Sequence, residues 1–185
     1  MTRAAAIGLT LSLLSGIVQL DETTRTAVQG MRSPVGDRVM RTATEVGRRD
    51  ILVWGVLGIA AFGGLQGPAT ARVILVSLAS ANLVVEGLKR LVHRTRPDGD
   101  TNPNNASFPS GHAASAAALA WVLTWRWPRG AIAFWLLAAT VCFSRIYLNR
   151  HYLSDVVTGV AIGILFAWLT LRLWPGLRQV KPGQP

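Results

Sequence analysis

The sequence predicts an all-α protein, a six-transmembrane-helix bundle with a short amphipathic interfacial helix between the first two spans. Three observations carry the prediction. Half of the 185 residues are hydrophobic and 15% are charged, less charge than a soluble domain of this size usually carries. Six segments lack charge or nearly so: 4–20, 51–65, 73–88, 112–125, 131–143 and 156–171. Seven Trp suit a chain with two membrane–water interfaces.

The first segment follows "MTR", as a signal peptide would, but the later apolar runs favour a retained first helix. Between the first two segments, Val39, Met40, Ala43 and Val46 recur at helical spacing with Arg38, Arg41 and Glu45 between them. That pattern predicts an amphipathic helix lying on the membrane surface. Several spans are shorter than the roughly 20 residues that cross a bilayer. Flanking Arg and Trp extend them by snorkelling. Five spans and a re-entrant segment are the alternative. Glu86 is near the end of its run, where Lys89 or Arg90 can pair with it. "GLQGP" at 64–68 and "RWPRG" at 126–130 predict tight turns. The chain, 1–185, is expected to be a single domain with a flexible tail from about 176 to 185.

The net charge of +10 comes from basic residues scattered between apolar runs, which excludes a nucleic-acid stripe. Anionic head groups or phosphorylated substrates fit that charge better. The single Cys142 excludes an internal disulfide and a Cys-based zinc site.

Six spans put the ends near Lys89, His112, Ser144 and Asp155 on one side of the membrane. The loops 89–112 and 144–155 therefore face one compartment. They hold all three histidines, His93, His112 and His151. Phosphoryl transfer asks mainly for positioning and for cations that neutralise equatorial oxygens. Lys89, Arg96 and Arg145 supply such cations, and Arg grips two oxygens at once. Pro97 biases Arg96 out of helical geometry, so the third span should end about there. In "PSGH", Ser110 can cap a helix and Gly111 permits close backbone approach, leaving a helix N-terminus that suits phosphate. His151 and Asp155 are four apart, a spacing that shares one face on a helix. An Asp on one ring nitrogen fixes the tautomer and frees the other nitrogen.

Three blocks read in order: Lys89, six residues, Arg96-Pro97; "PSGH" at 109–112; and Ser144-Arg145, five residues, His151, three residues, Asp155. This resembles the three-part signature of the type 2 phosphatidic acid phosphatase (PAP2) superfamily, with all eleven fixed positions matching in identity and spacing. "TEVG" at 44–47 is similar to the family as well, more weakly.

The resemblance implies a membrane lipid phosphatase. His151 would be the nucleophile, forming a phosphohistidine; Asp155 would orient it; His112 would protonate the leaving oxygen and then activate water. Lys89, Arg96, Ser110, Gly111 and Arg145 would bind the phosphate. No cofactor and no metal are implied; Asp98 and Asp100 lack metal-ligand spacing and are read as turn residues. His93, Arg90, Arg94 and Arg150 fall between signature positions and are expected to be solvated or to touch head groups. Candidate substrates are undecaprenyl pyrophosphate first, then phosphatidylglycerol phosphate, phosphatidic acid and lipid A phosphates. Transfer to a second lipid is the alternative reaction. The resemblance also implies a bacterial cell-membrane protein with its active site on the periplasmic or extracellular side and cytoplasmic termini. A non-catalytic transporter or sensor would not need His112, His151 and Asp155. The apolar spans argue against the soluble vanadate-dependent haloperoxidases that share the signature.

Overall fold

The structure is a computed structural model that describes residues 3–102 and 105–173. The tail expected to be flexible lies outside the described residues. Seven α-helices and no strand form the regular structure of the described residues: α1 (Arg3–Gly30), α2 (Pro34–Val46), α3 (Arg49–Phe62), α4 (Gly67–Val92), α5 (Gly111–Arg126), α6 (Ala131–Tyr147) and α7 (Leu153–Leu173). The two expected tight turns are single 3-10 turns, Gly64–Gln66 and Pro128–Gly130.

Each of the six apolar segments lies in a helix, the second of them running on from α3 into the first 3-10 turn. By length and composition alone, Gly64–Val92, Pro128–Tyr147 and Leu153–Leu173 can cross a membrane, and Asp50–Phe62 is apolar but shorter. Large apolar side chains such as Leu14, Trp54, Leu83, Leu136 and Trp168 are exposed on α1, α3, α4, α6 and α7. No such exposed side chain belongs to α5. Helix α5 is the innermost element, packed against α4, α6 and α7.

The α5–α7 seam is the tightest contact because both helices present small residues. Ala113, Ala114 and Ala118 of α5 are fully buried. Gly159 and Gly163 of α7 face them. A Cβ on Gly159 would lie 2.4 Å from the Ser110 carbonyl, and one on Gly163 would lie 2.1 Å from the Ala114 carbonyl. Apolar helices have no hydrophobic drive toward each other inside lipid, so small residues spaced four apart let backbones approach and gain dispersion contacts. This seam sets the height of the α5 N-terminus against the start of α7.

Two boundaries differ from the expected ones. Helix α1 runs ten residues past its apolar stretch, to Gly30, because no breaker intervenes and its extension is anchored. The Gln29 side-chain amide donates to the carbonyls of Ile146 (3.1 Å) and Tyr147 (3.2 Å), capping the end of α6. Helix α4 stops at Val92, before Arg96. His93 there adopts the left-handed conformation (φ 49°) and turns the chain off the helix axis.

Helix α2 forms where an amphipathic helix was expected. Pro34 occupies its first turn, and the Ser33 hydroxyl accepts from the Gly36 N–H at 3.0 Å. Met40, Thr44 and Val46 lie on the protein side, whereas Val39 is 53% exposed. The buried face is thus rotated relative to the expected stripe, because α2 packs on α6.

Candidate active site

The loops on either side of α5 and α7 are sewn together by backbone and side-chain hydrogen bonds. The Ser110 N–H donates to the Asp155 carbonyl at 3.0 Å. The Asn149 amide donates to the Pro97 carbonyl at 3.1 Å, from a backbone at φ 56° that Asn tolerates. Asp98 and Asp100 make turn hydrogen bonds to the N–H groups of Asp100 and Asn102. Asp98 also pairs with Arg150 at 2.6 Å, which bridges the two loops.

His151 and Asp155 meet, but not on one helical face. His151 sits in the bend before α7, and Asp155 lies in the first turn of that helix. The carboxylate reaches back and accepts the Tyr152 N–H at 2.9 Å, as the acidic member of a capping box does. Asp155 Oδ2 then lies 3.6 Å from His151 Nδ1, an electrostatic contact longer than a hydrogen bond. The same oxygen accepts a short hydrogen bond from the Ser107 hydroxyl. Oδ1 accepts from Arg94 Nη1 at 2.7 Å. Asp155 is fully buried and His151 is 3% exposed. Burial pushes the His151 imidazole down to about 4, against the neighbouring Asp155 carboxylate, which raises it. The ring is therefore neutral at pH 7. Nδ1 faces Asp155, so Nε2 is the nitrogen left free to react.

A cavity of about 380 Å³ opens in front of His151. Lys89, Arg96, Gly111, His112, Arg145 and His151 line it. Arg96 is clamped by its own loop: Nε donates to the Asn105 carbonyl (2.8 Å), Nη2 to Asn105 Oδ1 (2.7 Å) and Nη1 to the Arg150 carbonyl (3.0 Å). Arg96 Nη1 is 3.4 Å from His151 Nε2. Burial and the Arg150 charge hold this guanidinium below its ordinary value. Arg145 Nη1 donates to Thr44 Oγ1 at 2.5 Å, while its buried Nε has no partner. Gly47 lies against His112: a Cβ there would come within 2.9 Å of the ring. The weak "TEVG" block thus meets the site at both ends, Gly47 lining the cavity and Thr44 holding Arg145, which lines it.

Of the eight expected site residues, six line the cavity and two stand behind it. Asp155 is behind His151. Ser110 is buried, its hydroxyl accepting from the Ala113 N–H at 3.4 Å and its N–H given to Asp155. A second expectation is corrected. Arg94 is not solvated; it turns inward to Asp155 and to Asp21, because the break at His93 aims it there. Arg90 and His93 are exposed. Sequence reasoning missed the places of Asp21, Arg94, Ser107 and Asn105. A lone Asp ending the first apolar run was the one available signal.

Beside the cavity runs a mostly apolar groove of about 550 Å³ between α3 and α4, lined by residues such as Leu52, Val56, Leu78 and Leu83. Asn82, Glu86 and Ser115 border both spaces.

A sequence profile of the PAP2 superfamily matches residues 70–179. Decaprenylphosphoryl-5-phosphoribose phosphatase of Mycobacterium tuberculosis is 38% identical over 118 residues, covering 59% of this chain and 66% of that protein. The match thus spans just under two thirds of that relative's length. The crystal structure of Aquifex aeolicus LpxE superposes with a TM-score of 0.74 at 22% identity, covering 83% of this chain and 95% of that one. The first transmembrane PAP2 type phosphatidylglycerolphosphate phosphatase from Bacillus subtilis gives a TM-score of 0.71 at 24% identity, covering 94% and 96%. At these identities the likeness is one of fold. With this fold, three stretches of the described residues are long and apolar enough to cross a membrane.

Proposed function

From the membership of this chain in the PAP2 superfamily we propose a membrane lipid phosphatase that works through a phosphohistidine. One observation carries the reading: three cations, Lys89, Arg96 and Arg145, converge with His112 and the neutral His151 on one cavity. Arg145 keeps a buried N–H with no protein acceptor. A phosphoryl group is the anion that such a constellation fits.

In the proposed reaction, His151 Nε2 attacks phosphorus and the bond to the leaving oxygen breaks. His112 gives that oxygen its proton. Asp155 balances the charge that appears on the His151 ring. Water, deprotonated by His112, then attacks phosphorus; the N–P bond breaks and inorganic phosphate leaves. Gly111 supports the phosphate at the α5 N-terminus, where the helix dipole favours an anion, and Ser110 caps that helix from behind the cavity.

The groove between α3 and α4 would hold the lipid chain, since its apolar lining joins the charged cavity at head-group height. Six of the helices would cross the bilayer, α2 would lie at the interface, and the site would face the periplasm or cell exterior. For the substrate we favour a phosphorylated polyprenyl lipid, undecaprenyl pyrophosphate or a polyprenyl-linked sugar phosphate.

The test is phosphate release by purified protein in detergent with a chelator present. The panel holds undecaprenyl pyrophosphate, decaprenylphosphoryl-5-phosphoribose, phosphatidylglycerol phosphate and phosphatidic acid. Chelator-resistant release, lost in His151→Ala while vanadate still binds, is the expected result. Turnover by His151→Ala equal to the unmodified protein would remove the nucleophile from the mechanism. Phosphate passing only to an added lipid acceptor would replace hydrolysis by transfer.

A further inference from the structure

Asp155 owes its position to more than His151. Behind it, Arg94 bridges two carboxylates from two helices. Nη1 donates to Asp155 Oδ1 at 2.7 Å and Nη2 to Asp21 Oδ2 at 2.8 Å. Asp21 belongs to α1 and is 2% exposed. It also accepts from the Ser154 N–H (2.8 Å) and the Ser154 hydroxyl (2.6 Å), so it caps the start of α7 from outside. The Arg94 guanidinium further lies 4.1 Å from the centre of the Tyr152 ring. Arg94 is thus fixed on three sides, and Asp155 Oδ1 has one acceptor direction filled by a charged donor.

We propose that Arg94 and Asp21 are positioning residues that lock the Asp155 carboxylate against His151, which makes helix α1 part of the active site. Geometry comes first. Asp155 Oδ2 serves Ser107, Tyr152 and His151 together, so a small rotation about its χ angles would trade one of these contacts for another. Holding Oδ1 in the Arg94 bridge removes that rotation. Charge supports it too. Two anions around one cation leave one net negative charge beside His151, the counter-charge that a phosphorylated imidazole requires. Neither residue lines the cavity, so neither is expected to touch substrate.

The proposal rests on the phosphatase reading for its kinetic arm and stands without it for its spectroscopic arm. In full-length protein, Arg94→Met should lower kcat about 10- to 100-fold with KM and vanadate affinity within about twofold. Arg94→Lys should recover part of that loss. Asp21→Asn should cost less than Arg94→Met, and the double variant should match Arg94→Met alone, because both act through one arm. In protein labelled with 15N-histidine, the His151 signal should report Nδ1–H in the unmodified protein. It should shift toward a mixture of tautomers in Arg94→Met while His112 is unchanged. Unaltered kcat in Arg94→Met, or a raised KM with kcat intact, would overturn the proposal. So would an unchanged His151 tautomer signal, including in a protein that hydrolyses none of the lipids, where the phosphatase reading would fail by itself.

Discussion

The cavity wall and the layer behind it carry opposite charge and are satisfied to different degrees. On the wall, Lys89, Arg96 and Arg145 stand together with two imidazoles, and Arg145 Nε and His151 Nδ1 have no hydrogen-bond partner. Behind it, Asp155 and Asp21 are almost fully buried, and each accepts several hydrogen bonds. Arg145 and His151 on the wall keep buried nitrogens with no protein partner, whereas the rear carboxylates have their donors in place. Anion binding depends on the first condition and precision on the second, so the two layers should fail differently when altered. Loss on the wall should appear in chemistry or in phosphate affinity. Loss behind it should appear in the rate with binding kept.

The sharpest break of that contrast is Asp155→Asn. It preserves shape but removes the charge and can present an N–H to the imidazole. By analogy with an orienting Asp elsewhere, the rate should fall about 10³- to 10⁴-fold. Vanadate should bind as before, because the cations are untouched. Single-turnover assays with a vanadate titration check it; a rate within tenfold of the unmodified protein would place Asp155 outside the reaction.

The next largest effect should come from the seam that carries both layers. Gly163→Val puts atoms where the Ala114 carbonyl lies, and the two helices must separate. Overpacking of this kind costs about 1–3 kcal/mol. The separation also pulls the Ser110–Asp155 tie apart, so turnover should fall by more than tenfold, with a lower melting temperature. Gly58→Ala is the control: nothing lies within 4 Å of its added Cβ, on α3, and both readings should stay put. Equal behaviour of the two variants would mean that the seam does not set the site.

The wall was legible in the sequence and most of the rear was not, for a physical reason. Cations and imidazoles at the ends of apolar runs and in the loops between them have no packing role to hide in, so Lys89, Arg96, His112, Arg145 and His151 stand out by spacing. Asp21 and Arg94 show no spacing that pairs them, because they are partners 73 residues apart in sequence. Ser107 had no signal at all. The repeat Gly159–Gly163 in an apolar stretch was visible and went unread. The helices themselves were legible from hydropathy. The end of α4 was not, because His93 leaves the helix in a left-handed conformation that aims Arg94 and Arg96 inward. The facing of α2 depended on α6 and could not be read from its own pattern.

A smaller effect tests the border between wall and α2. Thr44 Oγ1 is the acceptor for Arg145 Nη1. Thr44→Val keeps the shape and leaves a second guanidinium N–H unpaired beside the first. A hydrogen bond to a charged group contributes about 1.5–3 kcal/mol, so orientation of Arg145 should loosen and KM should rise about tenfold. kcat should change little. A fall in kcat with KM constant would move Thr44 to the rear layer.

The finest test is the titration of His151, which touches both layers. Its midpoint should lie near 4 by 15N-histidine NMR, and the two layers should move it in opposite directions. Asp155 raises it, so Asp155→Asn should move it lower. Arg96 lowers it by repulsion, so Arg96→Gln should move it higher. The same shift has a stability consequence of fixed sign. The unfolded chain takes this proton as the pH falls through about 6.5, and the folded protein takes it only near 4. Between those values the unfolded state binds more protons, so stability must decline as the pH drops across that window. His151→Gln, which cannot titrate, should show a shallower fall in melting temperature from pH 7 to pH 4. A His151 midpoint at the ordinary imidazole value would mean that the ring is open to water, and the wall and the rear layer would then no longer be separated by a dry nucleophile.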